Sequence, residues 1–482
     1  MMNTHRIPIN AAPCRQRGVG SLAITTLLLL AASIVVLYLN RSVIFEQRTS
    51  ANQMRAASAH EMAEAGLEWA IGMLNHGSKI NTTCGDDVTA SDSFRARYVK
   101  FPTDPISGLP VTATEADKPK YRTALPGCSI DPGNGSLNCS CPPTNDPDTP
   151  PNDPAHSGSA PHFTVHFEPE KDNADTQDPN KFHWETVRIT AVGCTAAVDV
   201  CTPPTPDTPA NSGNADAMAI ASVAVKLRPG MVGGPFAPLT CGGSCKPGGS
   251  YNIVNTSVAS NGMLVNAGTS IGEKPLGEPV DIKNSVTLIT IPGVPIENAL
   301  VPGDSSLAEL SASDPDCSKS AVFQSFFGST IEQYRDSPTT TVISCSNSTD
   351  CGKKTKEAYA EGARALYYPD GVWFNNSSGF PIGPDGNPTL GTESDPVIIV
   401  TPKIFDINGN ITINAMIFSN SSNLNDLGTG NADINGAIAT CKDQKSNGNG
   451  TIKYSDGILA NARRASGSMV KVPGSWRDWS QL

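Results

Sequence analysis

The stretch from Arg15 to His76 constrains the fold more than any other part of the chain. Residues 19–39 are uncharged and mostly apolar. As a helix they would extend about 31 Å, which is enough to cross a bilayer. Helical spacing then continues to Asn75 without a turn signal, and Gly77 follows as a stop. We therefore predict one long helix over residues 19–77, transmembrane over 19–39.

The part of this helix beyond residue 39 is amphipathic. Small and apolar residues recur there at three- and four-residue steps, which places them on one helical face that must be buried. The predicted helix-packing residues on this face are Met54, Met62, Ala65, Trp69 and Met73.

The residues before the apolar run are basic. Arg6, Arg15 and Arg17 precede the run and no acidic residue does, so the amino end should stay in the cytoplasm. A cleaved secretory signal is the alternative, but residues 37–41 are a poor cleavage site. Cleavage after Gly18 would instead leave the helix in the product, beginning at Val19.

Charge and cysteine content narrow the class of protein. The net charge of −11 and the absence of a basic block argue against nucleic acid as a partner. Of 13 cysteines, Cys14 alone precedes the apolar run, leaving twelve on the exported side. This even number predicts disulfides in an oxidising compartment. The close pairs supply the disulfide candidates Cys194, Cys201, Cys241, Cys245, Cys345 and Cys351.

Zinc is the rival interpretation of the pair at Cys241 and Cys245. No second Cys or His pair follows at a suitable distance, and the chain has seven His. We therefore favour disulfides and expect no metal at these cysteines.

Residues 78–230 are predicted to form an α+β head with Pro-rich loops. Apolar and polar residues alternate over 163–168 and 186–191, and a third strand signal covers 219–227. This pattern indicates an antiparallel sheet with one covered face. The exposed half of the long helix is the expected cover.

Residues 235–482 are predicted to form a β-rich, solenoid-like domain. Asn-Gly pairs at 261, 408, 435 and 449 each precede a short apolar segment. β-Hairpins and an irregular β-solenoid both explain this pattern, and we favour the solenoid. Segments 321–334 and 354–366 have helical composition and predict a helical insert. The fold class is thus α+β.

No catalytic motif is present in the sequence, so we expect no enzymatic activity. Asp406, Asn408 and Asn410 place oxygen ligands at alternate positions, as calcium loops do. The later Glu of an EF-hand is missing, so a strand-capping turn is favoured over calcium, and no cofactor is expected. A membrane-tethered β-solenoid acting on polysaccharides remains an alternative.

The amino-terminal features together resemble a known family. A basic leader ending in Gly, an uncut apolar helix and an amphipathic extension are similar to the class III signal of type IV pilins and pseudopilins. Residues 63–70, AEAGLEWA, resemble the corresponding segment of PilX-like minor pilins. The resemblance implies cleavage by a prepilin peptidase between Gly18 and Val19, then N-methylation. Gly20 before Ser21 is a second choice.

The resemblance also implies the protein's partners and location. The protein would sit in the inner membrane as a single-pass precursor and then join other pilins through its helix, reaching the pilus fibre and cell surface. Major pilins carry Glu at the fifth mature position, where this chain has Ala23. Since a tip subunit has no neighbour ahead whose terminal amine needs this acid, the absence points to a tip or priming position.

The expected function is therefore that of a minor pilin acting in pilus assembly or priming and in adhesion or motility, with a host or surface ligand as a further partner. A K-type pseudopilin of type II secretion is the alternative within the same family, because it also lacks the fifth-position Glu.

Overall fold

The computed structural model describes residues 18–90, 92–99, 125–131, 133–142, 160–171, 182–195, 201, 217–283, 285–403, 405–421, 425–426, 431–445 and 448–478. The predicted leader and most of the Pro-rich loops lie outside these residues. The chain divides into two units, residues 1–58 and residues 59–482.

The first unit consists, in its described part, of the beginning of helix α1 (Gly18–Asn75). The large apolar side chains between Leu22 and Phe45 are exposed. The hydroxyls of Thr26 and Ser33 donate to the carbonyls of Leu22 and Leu29, so polar groups in the apolar run are satisfied within the helix. Within the described part of the chain, α1 is the one helix apolar and long enough to cross a membrane.

The second unit contains the end of α1, six further helices and 23 strands among the described residues. In chain order they are α2 (Phe94–Tyr98), β1 (Gly127–Ile130), β2 (Leu137–Ser140), β3 (His162–Lys171), β4 (Phe182–Cys194), β5 (Met218–Arg228), β6 (Leu239–Cys241), β7 (Cys245–Lys246), β8 (Ser250–Val254), β9 (Val265–Ala267), β10 (Thr287–Ile289), β11 (Leu300–Pro302), α3 (Ser305–Ser313), α4 (Ala321–Phe327), α5 (Ile331–Arg335), β12 (Thr340–Val342), α6 (Ser348–Glu361), β13 (Ala365–Tyr367), β14 (Val372–Phe374), β15 (Thr389–Leu390), β16 (Val397–Thr401), β17 (Phe405–Ile407), β18 (Ile411–Ser419), β19 (Asn425–Asp426), β20 (Asn431–Thr440), β21 (Gln444–Lys445), β22 (Asn449–Lys453), α7 (Asp456–Ala465) and β23 (Ser468–Lys471). Short 3₁₀ helices cover Ile296–Ala299 and Asn376–Ser378.

The predicted antiparallel sheet is confirmed. Six strands pair in the order β2-β1-β3-β4-β5-β23, all antiparallel, and we call them the head sheet. Phe163, Val165 and Phe167 alternate along β3 and are buried in one core with the carboxyl-terminal part of α1. The helix therefore covers the apolar face of the sheet, as its amphipathic pattern indicates.

Small residues bring the backbone of α1 close to the head sheet. A Cβ on Gly66 of the helix would lie 2.9 Å from Cδ2 of Phe163 and 3.0 Å from Cβ of Ala191. A Cβ on Gly193 of β4 would overlap the backbone oxygen of Ala59. These two glycines set the distance between helix and sheet, because any larger side chain would push the layers apart.

The buried face of α1 is rotated relative to the predicted stripe. It is formed by Ala59, Met62, Ala63, Gly66, Leu67, Ala70 and Leu74. Of the predicted packing residues, Met62 is buried, and Trp69 and Met73 pack at the margin of the same core. Ala65 is exposed, and Met54, in the first unit, is 76% exposed. Packing of these last two against a partner helix stays a prediction.

Two glycines of α1, the buried Gly66 and the exposed Gly72, provide a matched test of this packing. We expect Gly66→Ala to lower the free energy of unfolding by about 1–3 kcal/mol, because the added methyl overlaps Phe163. Gly72→Ala should instead raise it by about 0.5–1 kcal/mol, since its Cβ meets nothing within 4 Å. Denaturant unfolding of both variants checks this. Equal effects of the two substitutions would contradict the packing.

The second sheet has twelve strands and pairs in parallel throughout its described part. Its main path is β10-β8-β22-β20-β18-β16-β13-β12, and β6, β9, β11 and β15 branch from it. Branched aliphatic residues stack in register between neighbouring strands and are buried. One column contains Leu366, Ile399, Ile417, Ile438, Leu239 and Val265, and a second contains Ile413, Ile434, Ile452 and Ile253.

The Asn-Gly pairs do not form the predicted turns at two of the four positions. Gly436 lies inside β20 and Gly450 inside β22, with φ angles of 129° and 135°. A Cβ at either glycine would overlap a backbone carbonyl of the neighbouring strand, at Ala415 and Ala432 respectively. Glycine is required there by close strand stacking and by positive φ. Parallel pairing of both strands also excludes hairpins at these two sites.

Helices cover part of the parallel sheet. The predicted helical segment 321–334 contains α4 and α5, and the predicted segment 354–366 overlaps α6, which begins earlier, at Ser348. Phe323 and Phe327 of α4 are stacked and pack edge-on against Phe418 of β18. The helices therefore bury one side of the strands through an aromatic cluster.

Six disulfides join the twelve cysteines that follow the apolar run. Three are the predicted close pairs, Cys194–Cys201, Cys241–Cys245 and Cys345–Cys351. The others are Cys84–Cys141, Cys128–Cys139 and Cys317–Cys441. The last closes a sequence separation of 124 residues and ties the loop before α4 to the residue that follows β20. Sequence spacing indicated none of these three pairings.

Candidate functional site: the junction of the long helix and the head sheet

The head sheet is completed by the carboxyl-terminal residues. β23 pairs with β5, and Met469 is buried in the core under α1. Farther along, Arg477 exchanges two backbone hydrogen bonds with Ser222 of β5, 2.7 and 2.8 Å long. Residues 231–465, which we call the distal region, are therefore inserted between two neighbouring strands of the head sheet.

This arrangement differs from the predicted division into 78–230 and 235–482. The prediction grouped residues 468–478 with the distal strands, whereas they pair with β5 in the structure. The reason is that β5 otherwise presents an unpaired edge, and strand edges are stabilised by pairing. A strand of four residues carries too little alternation to be recognised from the sequence.

Asn75, the last residue of α1, links the helix to β23. Its side-chain oxygen accepts from the backbone N–H of Met469 at 2.7 Å, and its amide nitrogen donates to the carbonyl of Met469 at 3.0 Å. The ammonium of Lys471 forms an ion pair with Glu68, about two turns earlier on the helix. The end of α1 and the end of the chain thus form one structural unit, which we call the Asn75 clamp.

Arg95 of α2 makes a second link to the carboxyl-terminal part of the chain. Its guanidinium donates to the carbonyls of Gly467 and Ala465, at 2.6 and 2.8 Å, at the carboxyl end of α7. These carbonyls carry the negative end of the α7 dipole and suit a cation. Burial lowers the pKa of Arg95 to about 10, so the group is still charged at neutral pH. Arg95 therefore holds the chain at the point where it returns from the distal region.

Removing the Asn75 clamp should loosen the return strand. We expect Asn75→Ala to lower the free energy of unfolding by about 1–3 kcal/mol, because it leaves both backbone groups of Met469 without their partner. It should also speed limited proteolysis after residue 465. Denaturant unfolding and proteolysis followed by mass spectrometry measure these effects.

A suitable control is Asn134→Ala, which removes one exposed turn hydrogen bond to Ser136. It should leave both measurements nearly unchanged. If Asn75→Ala behaved like this control, the clamp would not fasten the return strand.

A polar cavity of about 600 Å³ lies next to the clamp, between the end of α1, α2, α6 and α7. Its guanidinium groups are engaged within the protein. Arg364 pairs with Asp395 at 2.5 Å, Arg464 donates to Asn461 at 2.8 Å, and Arg95 bonds to carbonyls as described. The cavity is thus lined by a structural hydrogen-bond network in which the guanidinium groups of its three arginines take part.

One cluster of potential metal ligands occurs among the described residues, formed by His162, Cys194 and Cys201. The two sulfur atoms are bonded to each other, so neither is a thiolate that could bind a metal. His162 is fully buried beside this disulfide. The cluster is a packed disulfide with a neighbouring imidazole. Cys241 and Cys245 likewise form the predicted disulfide, which is favoured over the rival zinc interpretation.

His162 makes the head sensitive to acid. Burial lowers its pKa below the usual value near 6.5, so the folded protein binds fewer protons at this site than the unfolded chain. Stability from this residue is therefore present at neutral pH and is lost as the pH falls through about 6.5.

We accordingly expect wild-type protein to lose more stability between pH 7.5 and pH 5.5 than His162→Gln, which cannot titrate. Denaturant unfolding at the two pH values measures this difference. The same pH dependence in both proteins would show that His162 is protonated equally in the folded and unfolded states.

Two of the candidate calcium residues, Asp406 and Asn408, are hydrogen-bonded to each other. The amide nitrogen of Asn408 donates to the carboxylate of Asp406 at 2.6 Å, and the backbone N–H of Asn410 donates to the side chain of Asn376. Donor groups thus occupy positions where a cation would require oxygen ligands. The observed arrangement is a hydrogen-bond network at the end of the strand, and calcium binding stays the less favoured alternative.

The predicted processing site is only partly described. Gly18 is the first residue of α1, and nothing is described of the side chain of Val19 or of residues 1–17. Cleavage at this position therefore stays a prediction.

Comparison with protein families gives one match. The family model "PilX N-terminal" matches residues 17–68, which cover most of α1. Comparisons with curated proteins and with solved structures give no significant match. The amino-terminal segment is therefore type IV pilin-like and relates the chain to type IV pili, while the head sheet and the distal region lie outside the matched residues.

Proposed function

We propose that the protein is a minor subunit of a type IV pilus. The observation that supports this most directly is the division of α1 into two kinds of surface. Its first part is apolar and exposed and falls within the pilin-like match, and its last turns are buried under the head sheet.

The exposed apolar part of α1 needs another environment. Leu22, Leu27 and Leu37 are each more than 60% exposed, and the residues between them are similar. Each large apolar side chain left in water costs about 1.5–3 kcal/mol relative to burial. Lipid would cover this surface before assembly, and the helices of other pilins would cover it in the fibre. In both states, the membrane-inserted precursor and the assembled pilus subunit, the apolar surface of α1 would be shielded from water.

The proposed position is at or near the pilus tip, where the subunit would take part in assembly or priming. Ala23 stands at the fifth mature position if cleavage follows Gly18, and no acidic residue occurs between Val19 and Phe45. A buried carboxylate is costly unless an opposite charge faces it. A subunit without a neighbour ahead has no amine to neutralise, so it needs no acid there.

The distal region is proposed to form an irregular β-solenoid displayed by the pilus. Support comes from the parallel pairing of its strands, the in-register aliphatic columns and the glycines at stacking positions. Its three disulfides, Cys241–Cys245, Cys317–Cys441 and Cys345–Cys351, would protect it outside the cell. Such a region suits adhesion to a host or another surface, or a role in motility, and we propose no enzymatic activity for it.

The sequence of the mature amino terminus tests this function. We expect the protein purified from its natural host to begin at Val19 with an N-methylated amine, and to co-purify with other pilins after membrane solubilisation. Cleavage should depend on the prepilin peptidase of that host. A mature protein beginning near Asn40, or an uncut Met1, would refute the proposal.

The K-type pseudopilin remains a second candidate because Ala23 fits it equally well. Deletion of the gene distinguishes the two assignments. Loss of surface pili and twitching supports the pilus, whereas loss of enzyme secretion with normal pili supports the pseudopilus.

A further inference from the structure

The distal region contains a second cavity, of about 340 Å³, with an aromatic side chain in its wall. Trp373 is the middle residue of β14, between the buried Val372 and Phe374. Because side chains alternate along a strand, Trp373 lies on the other face of β14 from its two neighbours, and part of its side chain still packs against the edge of their core. It is half-buried and lines the cavity.

A carboxylate lies beside this indole. β14 pairs in parallel with β17, and the register places Trp373 directly opposite Asp406. Neighbouring residues on paired strands are about 5 Å apart, so the indole and the carboxylate form adjacent parts of one wall. Asn408 directly follows β17, and its backbone N–H donates to the carbonyl of Phe374 at 2.8 Å.

The opposite wall is the beginning of α6. The amide of Asn375, which follows β14, donates to the hydroxyl of Ser348 at 2.8 Å. Asn347 caps the helix by accepting from the backbone N–H of Asp350 at 2.9 Å. Together with the bond from Asn408 to Asp406 at 2.6 Å, these contacts hold the polar side chains in fixed orientations around the cavity.

The cavity is chemically suited to a polyhydroxylated ring. A tryptophan offers a flat apolar face, and carboxylate, amide and hydroxyl groups offer both acceptors and donors for hydroxyls. Its volume is at the lower end of the range for small-molecule sites. The described residues that line it include no Lys or Arg, which disfavours an acidic ligand because nothing there would neutralise its charge.

We propose that this cavity binds a neutral saccharide, with one pyranose ring stacked on Trp373 and its hydroxyls bonded to Asp406 and the neighbouring asparagines. Asp406 is the one carboxylate among the described lining residues. Hydrolysis of a glycosidic bond ordinarily uses a pair of carboxyl groups on either side of it. The site is accordingly one for recognition.

A saccharide bound here would be the ligand for the adhesive role proposed above, and to this extent the inference rests on the proposed function. Saccharide binding itself can be measured without a pilus, so the two proposals fail separately. Loss of binding with correct processing at Val19 would refute the site alone, and binding without such processing would refute the pilus assignment alone.

The test uses full-length protein in a sugar-free zwitterionic detergent. Methyl glycosides of glucose, galactose, mannose and N-acetylglucosamine, and their β-1,4-linked disaccharides, are the probes, followed by saturation-transfer NMR and calorimetry. We expect at least one neutral probe to bind with a dissociation constant of about 1 mM or tighter. Trp373→Ala should weaken this binding about ten-fold or more, and Asp406→Asn should weaken it several-fold.

Two further variants separate recognition from folding. Trp373→Phe retains an aromatic face and should keep more of the affinity than Trp373→Ala, while thermal unfolding reports any loss of packing against the core. Trp476→Ala removes an indole that is 47% exposed and belongs to the carboxyl-terminal segment completing the head sheet, and it should leave binding unchanged.

The proposal is overturned if no neutral probe binds the wild-type protein, or if folded Trp373→Ala and Asp406→Asn bind as well as Trp476→Ala. Preferential binding of an acidic probe, glucuronic acid methyl glycoside, would overturn the assignment to neutral saccharides.

Discussion

The close packing of α1 on the head sheet is the contact on which the second unit depends. Gly66 and Gly193 allow the helix backbone to approach β3 and β4, so that Phe163 and Leu67 can fill the space between the layers. Helices usually meet sheets through larger side chains, at a greater distance. Because the approach is so close, the end of α1 has a defined position, and Asn75 can reach the backbone of Met469.

The Asn75 clamp has a consequence for the whole distal region. The chain leaves the head sheet at the end of β5 and returns at β23, and residues 228 and 468 are paired neighbours. The distal region is therefore connected to the head by two adjacent strands. Under the proposed function, force on this region would be shared between these two strands, of which the returning one is joined to α1 through Asn75 and to α2 through Arg95. A domain joined by a single linker would lack this second connection.

Parallel stacking explains how the distal region acquires both its stability and its candidate ligand site. Inward-facing residues of neighbouring strands form aliphatic columns, such as Ile434 on Ile413. The other face carries a second apolar core in the large sheet, and paired outward residues in the small sheet of β14 and β17. Trp373 and Asp406 are one such outward pair. The same register that buries Phe374 beside Ile407 thus places an indole beside a carboxylate on the outer side.

The sequence by itself determined the long helix, the exported disulfide-rich character and the approximate strands of the head, because these depend on local hydrophobic period and on counting cysteines. The tertiary structure alone decided which face of α1 is buried, since Ala65 and Gly66 fit the helical period almost equally well and only the neighbouring Phe163 distinguishes them. It also decided the position of β23, because these four residues form a strand by pairing with the edge of β5. The pairing of Cys317 with Cys441 and the meeting of Trp373 with Asp406 were equally beyond sequence reasoning. Contacts between distant residues depend on strand register, and register is set by the packing of the whole core.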